Sequence, residues 1–274
     1  MASAELGSEV ALVTGATGVI GRAIAAEFGA RGAAVLVTGR RKEVLDEVAD
    51  GLRRSGVRVE AVVGDVTDPV HVEEAVATAN EALGPVTTLV NNAGAAEGMA
   101  TVADSDPSDW RDTLLSNVYG PFLFAHAVLP SMLAAGRGRI ITVASRAGTA
   151  VVPGSSSYVV SKTAVIRLSE AIAVETQGTG VTAFSLHPGG IPNPSVEGMI
   201  ERGLVPRDRF PDRPDDAARM IADLASGRYD VLSGAYLDLN DNLDEVAELA
   251  ARQTPVRILR VTDLPDDFHA VPMF

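Results

Sequence analysis

The stretch Val10–Gly21, which reads VALVTGATGVIG, decides how the rest of the chain is interpreted. An apolar run typical of a buried strand is followed by Gly15, Gly18 and Gly21 and then by the helical pattern RAIAAEFGARG. The first glycine permits a sharp turn, the second lets backbone approach a phosphate closely, and the third allows the helix to pack tightly on the strand. The start of the helix then offers free N–H groups and a positive dipole end to a pyrophosphate.

Further apolar runs alternate with longer helical patterns along the chain, which predicts βαβ units. The runs are rich in Val, Ile and Leu on both faces, as expected of buried parallel strands. We therefore predict a Rossmann-type, doubly wound, mainly parallel α/β sheet with helices on both faces. The predicted strands are Val10–Val13, Ala34–Thr38, Arg58–Val63, Thr88–Asn91, Arg139–Ala144, Val181–Leu186 and Tyr236–Asn240; the predicted helices are Gly21–Arg31, Glu43–Ser55, Val70–Leu83, Asp109–Ala135 and Ser157–Thr176.

Size and charge limit the classes of function. The 274 residues are 46% hydrophobic, which is enough for one α/β domain, predicted over residues 1–242. A net charge of -13 opposes binding to nucleic acid. The sequence has no cysteine, no uninterrupted membrane-spanning stretch and no ligand-like spacing of its four histidines, and residues 1–9 lack the basic and apolar pattern expected of a signal peptide. These features predict a cytoplasmic protein without a metal site or a membrane partner.

The end of the second predicted strand bears on the choice of cofactor. An acidic residue there would accept hydrogen bonds from the ribose hydroxyls of NAD and repel a 2′-phosphate. The chain instead has Gly39, followed by Arg40 and Arg41, which favours NADP(H), with NAD(H) as the alternative. Asp65 follows the third predicted strand, where its side chain could accept from an adenine amino group or simply form a turn.

A third group of residues suggests proton transfer. Ser145 ends a predicted strand, and Tyr158 and Lys162 follow at helical i and i+4 positions, so the last two share a face. A phenol has a pKa of about 10, and a nearby cation favours its ionised form. One Tyr-x-x-x-Lys pair arises easily by chance. Its position after a strand-ending serine, behind a nucleotide-type turn, makes it specific.

These motifs, in this order, resemble those of the short-chain dehydrogenase/reductase family over roughly residues 10–240. The resemblance depends on TGATGVIG at 14–21, Asp65-Val66, NNAG at 91–94, Asn117, Ser145, Tyr158-x-x-x-Lys162 and Pro188-Gly189. It implies a small-molecule alcohol or carbonyl substrate and a homo-oligomer, either a dimer or a tetramer, formed through the helices at 109–135 and 157–176.

The resemblance also implies roles for individual residues. Tyr158 would be the general acid/base, Lys162 would bind the nicotinamide ribose and lower the Tyr158 pKa, Ser145 would hold the substrate oxygen, and Asn117 would anchor a water of the proton relay. The cofactor would contact Gly15, Thr17, Gly18, Ile20, Gly21, Arg40, Arg41, Asp65, Val66, Asn91, Ala93, Gly94, Tyr158, Lys162, Pro188, Gly189 and Ile191.

Three departures from the family pattern leave alternatives open. Val19 replaces the middle glycine, which gives the TGxxGxxG spacing of longer members and keeps an NADP-dependent epimerase or dehydratase as a second interpretation. Pro192-Asn193-Pro194 stands where a threonine often follows the Pro-Gly turn, and Asn240-Asp241-Asn242 replaces Asp-Gly-Gly. A third interpretation is a cofactor-binding regulatory protein without turnover. Specificity is expected to reside in 149–156 and in the irregular loop 188–214, and the helix and tail at 243–274 are expected to dock on the domain or a neighbouring subunit.

Overall fold

One parallel sheet forms the centre of the fold. The computed structural model describes residues 5–95, 99–203, 205–211 and 213–252, and within them seven strands pair in the order β3-β2-β1-β4-β5-β6-β7, with every pair parallel. The strands are β1 (Val10–Thr14), β2 (Ala34–Gly39), β3 (Val59–Val63), β4 (Thr88–Asn91), β5 (Gly138–Val143), β6 (Val181–His187) and β7 (Tyr236–Asp238). The seven predicted strands and the fold class are confirmed.

Helices connect the strands and cover both faces of the sheet. They are α1 (Val19–Ala30), α2 (Lys42–Arg54), α3 (Pro69–Ala82), α4 (Pro107–Leu114), α5 (Gly120–Ala135), α6 (Ser156–Glu175), α7 (Pro194–Glu201), α8 (Pro214–Ala225) and α9 (Leu243–Ala251). The prediction of an irregular loop with a short helix over 188–214 matches α7 and a 3₁₀ turn at Arg207–Arg209.

Alternating side chains of each strand supply two core layers. Val13 of β1 lies in the layer that contains Phe28 of α1, while its neighbour Leu12 lies in the layer that contains Phe124 of α5. All four side chains are fully buried. Because both faces are covered, the strands carry apolar residues on both sides.

The strand order reverses between β1 and β4, which lie side by side at the centre of the sheet. Chains leaving the carboxyl ends of these two strands turn to opposite sides and leave a crevice, where ligands of doubly wound sheets bind. The segments that follow β1, β4, β5 and β6 therefore converge at this one edge.

The long predicted helix at 109–135 is interrupted. Asp106 caps α4 by accepting from the N–H groups of Ser108 and Asp109, and one π-helical stretch, Leu115–Tyr119, separates α4 from α5. By length and hydropathy alone, Pro107–Ala135 could also cross a membrane. In this fold it supplies Phe124 to the core.

Helix α8 is absent from the elements predicted from sequence. Its Pro214 start, the acidic pair Asp215 and Asp216 in its first turn and its strongly amphipathic pattern are all start signals of a helix. These helix signals were overlooked because residues 188–214 were predicted to form an irregular, proline-rich loop. Ile221 and Ala222 of α8 are fully buried in the same core layer as α1.

The predicted amphipathic helix at 243–252 is present as α9. Leu243 is buried, and Val246, Ala247 and Ala250 pack on the core. The tail from Gln253 onward lies outside the described residues, so its predicted docking stays a prediction.

Candidate active site

Of the three glycines in the turn after β1, only Gly18 has open space beside its Cα. Gly15 has φ +65°, and a Cβ there would lie 2.7 Å from Ala93 Cα. A Cβ on Gly21 would lie 2.4 Å from Gly15 O. A Cβ on Gly18 would meet Gly15 O at 3.4 Å and nothing closer. Gly15 and Gly21 are thus required for packing, and Gly18 faces the open side.

Helix α1 begins just after Gly18, and no side chain caps its N-terminus. The N–H groups of its first turn therefore have no side-chain partner at the crevice, where an anion can accept from them. This cradle fits the pyrophosphate of a dinucleotide, as the sequence predicts for Gly15, Thr17, Gly18, Ile20 and Gly21.

Two residues that the sequence analysis did not select hold this turn in place. Thr14 Oγ1 accepts from the N–H groups of Asn92 and Ala93, each at 3.0 Å. Asn92 Nδ2 donates to the carbonyls of Thr14 at 2.9 Å and Gly15 at 3.2 Å. The ends of β1 and β4 are thereby cross-linked next to the phosphate cradle. The two adjacent asparagines of the NNAG motif could have indicated this role, but the sequence analysis selected only Asn91 as a site residue.

Two guanidinium groups bind the carbonyl of Thr17, and a third lies beyond the end of β2. Arg41 donates to Thr17 O at 2.9 Å, and Arg22, which the sequence analysis did not select, donates to the same oxygen at 3.3 Å. Arg40 extends into solvent, 3.5 Å from Asp65. A Cβ on Gly39 would lie 3.0 Å from the Thr17 side chain. The edge beyond β2 is therefore positively charged, with no carboxylate on β2 itself.

Asp65 and Val66 lie beyond β3. Asp65 Oδ1 accepts from the N–H of Thr67 at 2.9 Å and from its hydroxyl at 2.8 Å. Burial acts to raise the pKa of Asp65, but the hydrogen bonds from Thr67 and the charge of Arg40 outweigh it, and the pKa is lowered. Val66 is buried against Gly120 at the start of α5. Asp65 is thus an ionised acceptor at the edge of the crevice.

Asn91 at the end of β4 is 3% exposed, and its Nδ2 donates to Pro121 O at 3.4 Å. Its Oδ1 is buried and has no hydrogen-bond partner among the described residues. Gly94 is exposed, and a Cβ there would lie 3.7 Å from the Lys162 ammonium. The NNAG segment therefore lies between the phosphate-binding turn, which Asn92 contacts, and the predicted catalytic residue Lys162, which lies near Gly94.

Asn117 lies within the π-helical stretch, where the wider turn brings its side chain into the site. The side chain is 2% exposed, and Nδ2 donates to Ala95 O at 2.8 Å and to Ser161 Oγ at 2.9 Å. Ser161, fully buried, donates in turn to Tyr158 O at 2.8 Å. Asn117 thus connects the segment after β4 to the first turn of α6.

Ser145 and Tyr158 are brought together although 12 residues separate them in the sequence. Ser145 directly follows the end of β5, Tyr158 lies in the first turn of α6, and their hydroxyl groups are hydrogen-bonded. Burial raises the pKa of Tyr158 above 10, and the hydrogen bond with Ser145 acts in the opposite direction. Both residues are partly exposed, so a small molecule can reach them.

Lys162 lies one turn after Tyr158, and its ammonium is 5.6 Å from the centre of the Tyr158 ring. Its side chain is buried, donates to Val143 O at 2.8 Å, and has a pKa lowered by burial to about 8. The resemblance implied that Lys162 lowers the Tyr158 pKa. In the cofactor-free protein burial raises that pKa, because the surrounding protein disfavours the phenolate, and the lowering by Lys162 stays a prediction.

The segment after β6 covers the same edge of the sheet. Pro188 and Gly189 are buried, Gly189 has φ +93°, and Ile191 is 3% exposed. The positive φ reverses the chain and directs Ile191 inward, as the Pro-Gly turn predicts. A bridge between Ala100 and Ser155 joins the loop that follows β4 to the loop that follows β5, and these two loops together are called the cleft wall below.

The cleft wall carries apolar side chains at its surface. Met99, Val151 and Val152 are exposed, and Trp110 Nε1 donates to Ser156 Oγ at 3.1 Å. This wall includes the segment 149–156, to which the sequence analysis assigned specificity.

Comparisons with known proteins identify the family to which the chain is similar. The family model described as short chain dehydrogenase matches residues 9–201. A protein named ketoacyl reductase 1 of the granaticin polyketide synthase, from Streptomyces violaceoruber, is 40% identical over 194 residues, covering 70% of this chain and 71% of that protein. The 2-(R)-hydroxypropyl-CoM dehydrogenase of Xanthobacter autotrophicus is 36% identical over 247 residues, covering 84% and 98%.

Among solved structures, a variant of the actinorhodin polyketide ketoreductase with NADPH superimposes with a TM-score of 0.79 at 32% identity. The match covers 87% of this chain and 97% of that one.

Proposed function

This chain belongs to the short-chain dehydrogenase/reductase family and is a nicotinamide-dependent oxidoreductase acting on carbonyl or hydroxyl groups, and we propose that it transfers hydride between NADP(H) and a ketone or secondary alcohol with Tyr158 as general acid/base. The hydrogen-bonded pair of Ser145 and Tyr158 at the open crevice, beside the buried ammonium of Lys162, carries the proposal.

The geometry supports separate roles for the two hydroxyl groups: Ser145 binds the substrate oxygen and Tyr158 transfers the proton. A carbonyl oxygen that accepts from Ser145 lies within reach of the Tyr158 hydroxyl, because the two groups already touch. The bound nicotinamide supplies or accepts the hydride. In reduction, Tyr158 donates its proton to the substrate oxygen, and in oxidation it takes the proton back.

The raised pKa of Tyr158 suits the reductive direction in the cofactor-free protein, since the phenol holds its proton throughout the neutral range. Lys162, with a pKa of about 8, is mainly protonated at neutral pH, and its ammonium is positioned to bind ribose hydroxyls and to stabilise a phenolate. Within the described part of the chain, no carboxylate contacts Lys162.

The preference for NADP(H) is supported by charge. Arg40, Arg41 and Arg22 lie around the phosphate turn, and Gly39 leaves β2 without the carboxylate that would bind ribose hydroxyls and repel a 2′-phosphate. A solved relative was crystallised with NADPH.

The test is Tyr158→Phe, measured as NADPH consumption with a panel of ethyl acetoacetate, acetophenone and cyclohexanone. The variant should bind NADPH as the wild type does and lose about 10²–10⁴-fold in kcat, because only the transferable proton is removed. Tyr229→Phe is the control, since its hydroxyl bonds Asp244 on α9. Near-normal kcat in Tyr158→Phe would refute the assignment. Wild-type NADPH binding without turnover of any alcohol or ketone would favour the regulatory interpretation.

A further inference from the structure

We propose that the ion pair between Arg146 and Asp238 is a positioning device that sets Ser145 against Tyr158. The inference rests on the proposed function, because it concerns the same two hydroxyl groups. Neither Arg146 nor Asp238 was selected as a site residue from the sequence.

The pair acts on the residue next to the catalytic serine. Ser145 is extended, with φ -164° and ψ 155°, and its hydroxyl accepts from Ala147 N–H at 3.2 Å. Arg146 then begins the 3₁₀ turn Arg146–Gly148. Its guanidinium binds both carboxylate oxygens of Asp238, with Nε to Oδ2 at 2.7 Å and Nη2 to Oδ1 at 2.9 Å. This two-point geometry fixes direction as well as distance.

Asp238 is a rigid anchor for this contact. It is the last residue of β7, is 9% exposed, and its Oδ1 also accepts from the N–H and the Nδ2 of Asn240, both at 3.1 Å. Burial acts to raise the pKa of Asp238, but the hydrogen bonds from Arg146 and Asn240 and the charge of His187 lower it to about 2. The anchor therefore stays ionised at every pH at which the enzyme can be assayed.

The turn is held on its other side by α6. Thr163 Oγ1 donates to Gly148 O at 3.0 Å. A Cβ on Gly148 would lie 2.7 Å from Lys162 O, so the turn sits directly on the helix that carries Tyr158 and Lys162. With α6 on one side and β7 on the other, the turn cannot move without moving Ser145.

The chain contains a matched pair that is remote from the site. Arg139, near the amino end of the same strand β5, binds Asp230 with Nε at 2.9 Å and Nη2 at 2.7 Å. Both pairs are bidentate; the first joins the turn after β5 to β7, and the second joins β5 to the turn Asp230–Leu232 before β7. Only the Arg146 pair adjoins a residue that touches Tyr158. A purely structural role would make the two pairs equivalent in their effect on turnover.

The experiment compares Asp238→Asn and Arg146→Lys with Asp230→Asn, using the panel ketone of highest kcat/KM and its alcohol. In the first two variants kcat should fall about tenfold to hundredfold, because small displacements of reacting groups reduce the rate by this much. The Kd of NADPH, measured by its fluorescence, should change less than twofold. Asp230→Asn should keep kcat within twofold while its melting temperature falls as far as that of Asp238→Asn. The exchange Arg146→Asp with Asp238→Arg should recover part of the lost kcat.

The pH profile of alcohol oxidation provides a second measurement. Among the described residues, Lys162 on α6 is the charged group beside the Tyr158 ring, and the Arg146–Asp238 pair, with His187 near Asp238, lies next to Ser145. Because the Ser145 hydrogen bond lowers the Tyr158 pKa, its loss in Asp238→Asn should move the rising limb of the profile to higher pH.

An unchanged kcat and profile in Asp238→Asn, equal to those of Asp230→Asn, would overturn this inference. If Tyr158→Phe also retained turnover, the proposed function itself would fall. If Tyr158→Phe lost turnover while Asp238→Asn did not, only the positioning role would be wrong.

Discussion

The side-chain amide of Asn117 pairs with the backbone of Ala95 through two hydrogen bonds: Oδ1 accepts from the N–H at 2.7 Å, and Nδ2 donates to the carbonyl at 2.8 Å. The arrangement completes the backbone bonding of a segment that follows β4 and belongs to no strand or helix. Because Nδ2 also reaches Ser161 on α6, one buried amide joins three segments of the site.

Asn117→Asp should therefore lose activity although the side chain keeps its shape. The carboxylate can still accept from Ala95 N–H but has no donor for Ala95 O or Ser161 Oγ. Leaving such buried acceptors unpaired costs about 1–3 kcal/mol, so we expect a lower melting temperature and a lower kcat. Asn80→Asp is the control, because the Oδ1 of Asn80 accepts from Val86 N–H, a bond that a carboxylate can keep. Equal effects of the two substitutions on kcat would contradict a special role for Asn117.

Cofactor choice should reverse when the charge beyond β2 is reversed. We expect the wild type to have a higher kcat/KM with NADPH than with NADH. Gly39→Asp combined with Arg40→Ala should favour NADH, because the new carboxylate binds ribose hydroxyls and repels the 2′-phosphate. The added Cβ lies 3.0 Å from the Thr17 side chain, which must give slightly. Arg53→Ala on the surface of α2 controls for a general loss of positive charge. A wild-type preference for NADH would end this hypothesis.

Lys162→Met should stabilise the cofactor-free protein while abolishing turnover. The folded pKa of Lys162 is about 8 against 10.5 for an ordinary lysine, so the buried ammonium destabilises the fold at neutral pH. Removing it should add about 1–3 kcal/mol to the free energy of unfolding at pH 7, after allowing for the lost bond to Val143 O.

The pH dependence of this effect follows from its sign. Between pH 8 and 10.5 the unfolded chain holds more protons on Lys162 than the folded one, so wild-type stability gains from rising pH in that window. The advantage of the Met variant should be full below pH 8 and vanish near pH 10.5. Urea unfolding at several pH values measures it, and a Met variant less stable than wild type at pH 7 would contradict the prediction.

Assembly is predicted to use the outer surface of α5 and α6. Phe122 is 45% exposed and stacks between Tyr119 and His126, and Val160 and Val174 are also exposed. Light scattering at micromolar concentration should give a dimer or tetramer, and Phe122→Glu should give a smaller species. Val70→Glu, on the exposed surface of α3, should leave the assembly unchanged. A wild-type monomer at that concentration would rule out this interface.

The sequence alone was sufficient for the fold, and it selected residues that the structure brings together at one edge of the sheet. Strands such as β1 and helices such as α1 are dictated by local hydrophobic patterns, and Gly21 is required by its close approach to Gly15 O within one βα turn. Because such signals lie within a few residues of each other, they can be recognised from the sequence without knowledge of the tertiary structure. The exception was α8, whose local helix signals were masked by the prolines before it.

Only the tertiary structure decided how the site residues act on one another. Arg146 and Asp238 are 92 residues apart, Thr14 and Asn92 are 78 apart, and each pair meets because parallel strands end at one edge. The pKa of Tyr158 likewise depends on burial. The sequence pointed to a neighbouring cation that would lower it, whereas the surrounding protein raises it. Desolvation and long-range pairing depend on how the strands are arranged in space, and no local pattern of residues encodes that arrangement.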